Sequence, residues 1–147
     1  MEVSCGFYLV DKRTGLLLIG HITNTPNSFS IPKGLKDLGE SDWDAAVREL
    51  REETSIEYHN LNVIYQYEFD LVKYEKYPKQ LKAYLSIFDN DMPYTHCSSM
   101  FLTKEGVEMP EIDYFKWVTI NEAYSYLTGP QLINLKQIEE HVNKTLG

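Results

Sequence analysis

Glu49, Glu52 and Glu53 fall at i, i+3 and i+4 in the run Arg48-Glu49-Leu50-Arg51-Glu52-Glu53. On a helix this spacing projects the carboxylates from one face, within about one turn of each other. Like charges that close repel, and a hard divalent cation with oxygen ligands is the natural way to offset the repulsion. Magnesium suits it, because magnesium is held by a few carboxylates together with substrate phosphates and water. Arg48, four residues before Glu52, is placed to orient one carboxylate while the others bind metal. Ahead of the run, Gly34 and Gly39 allow the backbone to come close to a metal or a phosphate. By spacing alone, such a run is more often the solvated face of a surface helix, so the chemistry must draw support from the rest of the chain.

The element that must carry these carboxylates is readable. Ser41 is a helix-capping residue, Asp42 and Asp44 follow in the first turn, and Ala45, Ala46, Val47 and Leu50 lie at helical spacing, which predicts a helix from about Asp42 to Glu53. Before it, Gly6 to Val10 and Leu16 to Gly20 are β-rich runs around a turn that ends in Gly15, the pattern of a hairpin. A short strand is expected at Phe29 to Ile31, closed by Pro32 and Gly34. After the helix, Leu61 to Phe69, Leu81 to Phe88 and Tyr114 to Val118 read as strands. The tail from Asn121 places Leu132, Leu135, Ile138 and Val142 on one helical face, interrupted near Gly129-Pro130, which predicts one or two helices. Strands and helices mixed without strict alternation predict an α+β fold, a mixed β-sheet between α-helices.

Length and composition narrow the functions. A chain of 147 residues with 43% hydrophobic residues is the size of one domain, residues 1–147, and can bury a core without disulfides. A formal charge of -8 argues against extended nucleic-acid binding, yet permits a small phosphorylated substrate where carboxylates hold cations. Cys5 and Cys97 lack the paired spacing of a zinc or redox motif and are expected as buried thiols. The first residues form no basic leader followed by an apolar run, and no stretch nears the roughly 20 apolar residues that span a bilayer. A soluble, cytoplasmic protein without membrane contact is the expectation.

The full segment from Gly34 to Ile56, GLKDLGESDWDAAVRELREETSI, resembles the Nudix box, G-x5-E-x7-R-E-U-x-E-E-x-G-U with U apolar. Every fixed polar position matches. Ser55 stands where the box has Gly, at a helix end where a left-handed residue is common and a non-Gly residue costs about 1 kcal/mol. The resemblance implies a Nudix hydrolase in which Glu49, Glu52 and Glu53 bind Mg2+ or Mn2+, and Glu40 tethers the loop. It also implies a carboxylate that takes a proton from the attacking water, with Glu52 and Glu111 both open for that role.

Outside the box the likeness is finer. Ser28 to Gly34, SFSIPKG, resembles the Pro-Lys-Gly segment of diadenosine tetraphosphate hydrolases and diphosphoinositol phosphatases, which implies that Lys33 faces phosphates. Asp70 to Leu85 resembles the segment that supplies a tyrosine and a lysine to substrate in the former, here Tyr74 and Lys79. Pro110 to Ala123 is similar to the family's closing strand, which brings Glu111 near the metals. A dinucleoside polyphosphate is therefore the leading substrate. An RNA 5′ end, an ADP-sugar, or a nucleotide held without turnover are the alternatives. Asn90 to Met109 reads as a long connection without a match, where Tyr94, Met100 and Phe101 either cover a base or pack down.

Overall fold

The computed structural model describes residues 1–146. In chain order it contains β1 (Glu2–Asp11), β2 (Leu17–Ile22), β3 (Phe29–Ser30), β4 (Lys33–Leu35), α1 (Asp42–Thr54), a 3-10 turn (Tyr58–Asn60), β5 (Val63–Glu68), β6 (Val72–Lys73), β7 (Lys79–Phe88), β8 (Met100–Leu102), β9 (Glu108–Pro110), β10 (Ile112–Val118), α2 (Ile120–Ala123) and α3 (Gly129–Leu146). The main sheet runs β10-β2-β1-β7-β5. Only β1 and β7 pair in parallel, in continuous register from Glu2 opposite Lys79 to Asp11 opposite Phe88, while the other pairs are antiparallel. The sheet is mixed, as the sequence predicts.

β1 is buried on both faces, and its alternation assigns them. Phe7 and Leu9 join Ala45, Ala46, Leu50 and Ile56 of α1 and its exit, whereas Tyr8 and Val10 join Leu135, Ile138 and Val142 of α3. Side chains two apart on a strand share a face, so one strand serves both layers. On the α1 side, Phe7 is ringed by Trp43, Tyr58 and Tyr84, with Tyr58 stacked on it at 4.9 Å. Cys5 and Cys97 are buried free thiols.

The hairpin of β1 and β2 is paired at Val10 and Leu17 and then splays apart. The gap is filled by the next segment: β3 pairs with β2 through Ser30 and Gly20, and β4 pairs with β1 through Gly34 and Cys5. This wedge sets Lys33 opposite Gly6. A side chain on Gly6 would collide with the Pro32 carbonyl and the Lys33 Cβ, so the close approach requires glycine. From α3, Gln131 braces the wedge by accepting from Ile31 N at 2.9 Å and donating to Ser30 Oγ at 3.0 Å.

One sequence expectation needs correction. Asn90 to Met109 is not a bare connection, because β8 and β9 form a separate hairpin with Phe101 opposite Met109. Between β5 and β7, β6 pairs with β7 and Tyr74 N donates to Lys79 O at 2.9 Å, closing the turn. No helix among the described residues is long and apolar enough to cross a membrane.

Candidate active site

α1 begins as its sequence dictates, with Ser41 accepting from Asp44 N, and ends one residue beyond the expected Glu53. Its last turn presents the carboxylates. Arg48 clamps them: Nη1 donates to Glu49 Oε1 at 2.9 Å and to Glu52 Oε1 at 2.9 Å, while Nε donates to Glu40 Oε2 at 2.8 Å and Nη2 to Glu40 Oε1 at 2.9 Å. Glu40 also accepts from Asp37 N at 2.9 Å, so it tethers the loop in the way the box implies. These hydrogen bonds, from Arg48 first, hold the Glu40 carboxyl down at about 2.

Glu53 points the other way, into the sheet, and accepts from Lys33 N at 3.0 Å. Burial pushes its carboxyl up to about 8, with the charges of Glu49 and Glu111 adding and Lys33 opposing. Glu49 is also raised, by burial first, against the pull of Arg48. It lies so tightly against β4 that a Cβ on Gly34 would land on its carboxylate. The box glycine is thus a matter of close contact, since no side chain fits between strand and helix.

Two cavities meet at this point. The larger, about 760 Å³, is lined by Phe29, Tyr74, Tyr77, Gln131 and the lysines Lys33, Lys73, Lys76 and Lys79. The smaller, about 390 Å³, is lined by Lys33, Glu53, Glu111, Phe101, Thr23 and Ile112 among others. Ile22, Ser30 and Lys33 belong to both walls. The structure therefore brings Lys33, Tyr74 and Lys79 together in one chamber and Lys33, Glu53 and Glu111 in the next. Glu49 and Glu52 line neither chamber and stand behind, against Arg48.

The lysines form a compact electrostatic arrangement. Lys33 is lowered, by burial first and next by the Lys79 charge, with Glu53 and Glu49 opposing. Lys79 Nζ sits over the Tyr74 ring, 5.1 Å from its centroid. Tyr74 is half-buried rather than freely exposed, its hydroxyl has no hydrogen-bond partner among protein atoms, and burial raises its pKa.

Among the described residues, no group of three or more Asp, Glu, His or Cys side chains stands ready-made as a metal cage. The donor set still fits a hard cation. Its donors are all carboxylate oxygens, and Glu49 and Glu53 are buried away from water, which raises both carboxyls and leaves a cation as the partner that would hold them ionised. Arg48 spans Glu49 and Glu52 with one guanidinium nitrogen, the place of a bridging positive charge.

Sequence reasoning gave no role to Gln131 and left Phe101 open. Gln131 carries no local signal, since its partners lie a hundred residues away. Phe101 was within reach of a turn argument, because Lys104-Glu105-Gly106 separates two short apolar runs and Gly106 takes a positive φ of 79°.

A helix-flanked mixed sheet with a loop-helix-loop of carboxylates defines the Nudix class of fold. The family model of the NUDIX domain matches residues 2–140, and the chain belongs to that family of hydrolases. Among curated proteins, none matches it. Solved structures share the fold. A C. elegans Ap4A hydrolase binary complex is 20% identical, with 96% of this chain and 98% of that one covered and a TM-score of 0.74. The MutT protein of Aliivibrio salmonicida and Vibrio cholerae is 21% identical, with 91% and 94% covered and a TM-score of 0.58. The NUDIX domain of Shewanella oneidensis NrtR, complexed with ADP ribose, is 13% identical, with 95% and 87% covered and a TM-score of 0.67.

Proposed function

We propose that this Nudix hydrolase cleaves a phosphoanhydride bond in a dinucleoside polyphosphate such as diadenosine tetraphosphate, with Mg2+ or Mn2+ held by Glu49, Glu52 and Glu53. The observation that carries the reading is Lys33. It lines both cavities, and Lys79 stands close enough to lower it, so two cations converge where the basic chamber meets the carboxylates. Converging ammonium groups are stabilised by an anion between them, and a chain of phosphates is such an anion.

In this reading, Tyr74 and Phe29 receive one base, while Lys33 and Lys79 take up the phosphate charge nearest it. Bound at the carboxylates, a divalent cation supplies polarisation of the phosphoryl oxygens and acidifies water. Glu111 then accepts the proton of the attacking water. Its place beside Glu53 in the smaller cavity favours it over Glu52, whose carboxylate is engaged by Arg48 and lines neither cavity. The test is a turnover assay with product identification on diadenosine tetraphosphate, ADP-ribose and a capped RNA 5′ end, with and without magnesium. Faster hydrolysis of the tetraphosphate supports the reading, and preference for either of the others overturns it.

A further inference from the structure

We propose that the smaller cavity is a second base-binding subsite, with Phe101 as its stacking surface, so that the substrate carries a nucleoside on each side of its phosphates. This rests on the function proposed above and names the other end of the same substrate.

Three features of the cavity converge on an uncharged aromatic group. The first is charge. The larger cavity gathers Lys33, Lys73, Lys76 and Lys79, whereas the smaller sets Glu53 and Glu111 against Lys33 alone. Beyond the carboxylates the smaller cavity has no second ammonium to meet a terminal phosphate, and a neutral base needs none.

The second is the state of the hydroxyls. Thr23 Oγ1 already donates to Pro110 O at 2.6 Å, and Thr25 Oγ1 to Thr23 O at 3.3 Å. With their protons spent on backbone carbonyls, they keep acceptor lone pairs that the amino group of a base can meet, while Ile22, Ile112 and the Phe101 ring offer apolar surface to its flat face.

The third is how Phe101 is aimed and held. Its strand neighbours Met100 and Leu102 are exposed at 44% and 71%, while Phe101 is half-buried and turns toward the cavity. The strand is anchored close by: Ser98 N and Ser99 N donate to Glu52 O at 2.9 and 3.1 Å, and Glu111 N donates to Ser99 O at 2.9 Å. The backbone two residues from Phe101 is thereby bonded to the backbones of Glu52 and Glu111. A base lying on this ring is set at a fixed distance from the carboxylates.

The test compares diadenosine tetraphosphate with adenosine 5′-tetraphosphate, which ends in phosphate where the former has its second nucleoside. KM is measured for both, together with Kd for a methylene-bridged, non-hydrolysable diadenosine tetraphosphate. Phe101→Ala and Phe101→Leu should raise KM and Kd for the diadenosine compounds about tenfold, the loss of one base-aromatic stack, and leave adenosine tetraphosphate unchanged. Phe101→Trp should restore wild-type binding. Equal effects on both compounds, or none on either, overturn the subsite. If Phe101→Ala fails to fold, Phe101→Leu, which keeps apolar bulk without the ring, decides alone. Wild-type protein that binds neither compound removes the proposed function and the subsite together, an outcome distinct from a variant that fails to discriminate.

Discussion

Ser55 Oγ donates to the carbonyl of His96 at 2.6 Å, from a residue whose φ of 67° is left-handed. Ser55 occupies the position of the box glycine, keeps the glycine-like backbone, and closes α1 with its N–H on Arg51 O at 2.8 Å. Its hydroxyl then binds the strap from His96 to Ser99, whose N–H groups also satisfy the last carbonyls of the helix. The departure from the family pattern is thus tied to a local bond. The left-handed backbone costs about 1 kcal/mol and the hydrogen bond returns about the same.

Ser55→Gly relieves the backbone and loses the bond, so its unfolding free energy should stay within about 1 kcal/mol of wild type. Ser55→Ala keeps the strain and loses the bond, and should be the less stable of the two in urea unfolding. The opposite order would show that the left-handed backbone carries no cost, and a Ser55→Ala variant as stable as wild type would show that the hydroxyl holds nothing.

What was legible in the sequence divides along the range of the interactions. α1 is written locally, in the Ser41 cap, the Ala45, Ala46 and Leu50 spacing, and the carboxylates within one turn. Its internal charge clamp was partly legible too, because Arg48 and Glu52 are four residues apart. The wedge of β3 and β4 between β1 and β2 was not, since it depends on pairings with Gly20 and Cys5 that no local pattern encodes. The half-burial of Tyr74 was hidden for the same reason, β6 being only two residues long and defined by its partner β7.

Glu53→Gln separates chemistry from stability. The substitution replaces a buried carboxyl whose ionisation burial disfavours and keeps an oxygen for Lys33 N, so metal-free protein should be at least as stable as wild type in thermal unfolding. Turnover should fall by orders of magnitude, about 10² or more, because a ligand of the cation is neutralised. Excess chelator should abolish wild-type activity. A variant that retains wild-type turnover would remove Glu53 from the metal set.

Glu40 gives a pH signature. Its folded pKa of about 2 lies below the ordinary 4.5, so its ionised form is favoured by folding. That stability is fully present above about 4.5 and is lost as pH falls toward about 2. Glu40→Gln should therefore be less stable than wild type at neutral pH, with the difference in urea midpoint shrinking as pH falls through that window. A difference constant across the window would mean that the contact with Arg48 is not ionic in its effect.

Tyr74 and Lys79 should act as one unit toward substrate. The ammonium lies over the ring and the two backbones are bonded across the turn, so either side chain is positioned partly by the other. Tyr74→Ala should raise KM for diadenosine tetraphosphate about tenfold, through the lost stack. Lys79→Ala should impair that four-phosphate substrate more than the two-phosphate ADP-ribose, because only the longer chain has charge left over for a second lysine. A cation over a ring contributes about 0.5–2 kcal/mol, and each single substitution already forfeits it. The double variant should then lose less in kcat/KM than the two losses combined, by an amount in that range when expressed as RT ln of the ratio. Losses that add to within about 0.3 kcal/mol would mean that ring and ammonium meet the substrate independently, Lys79 on the phosphates and Tyr74 on the base.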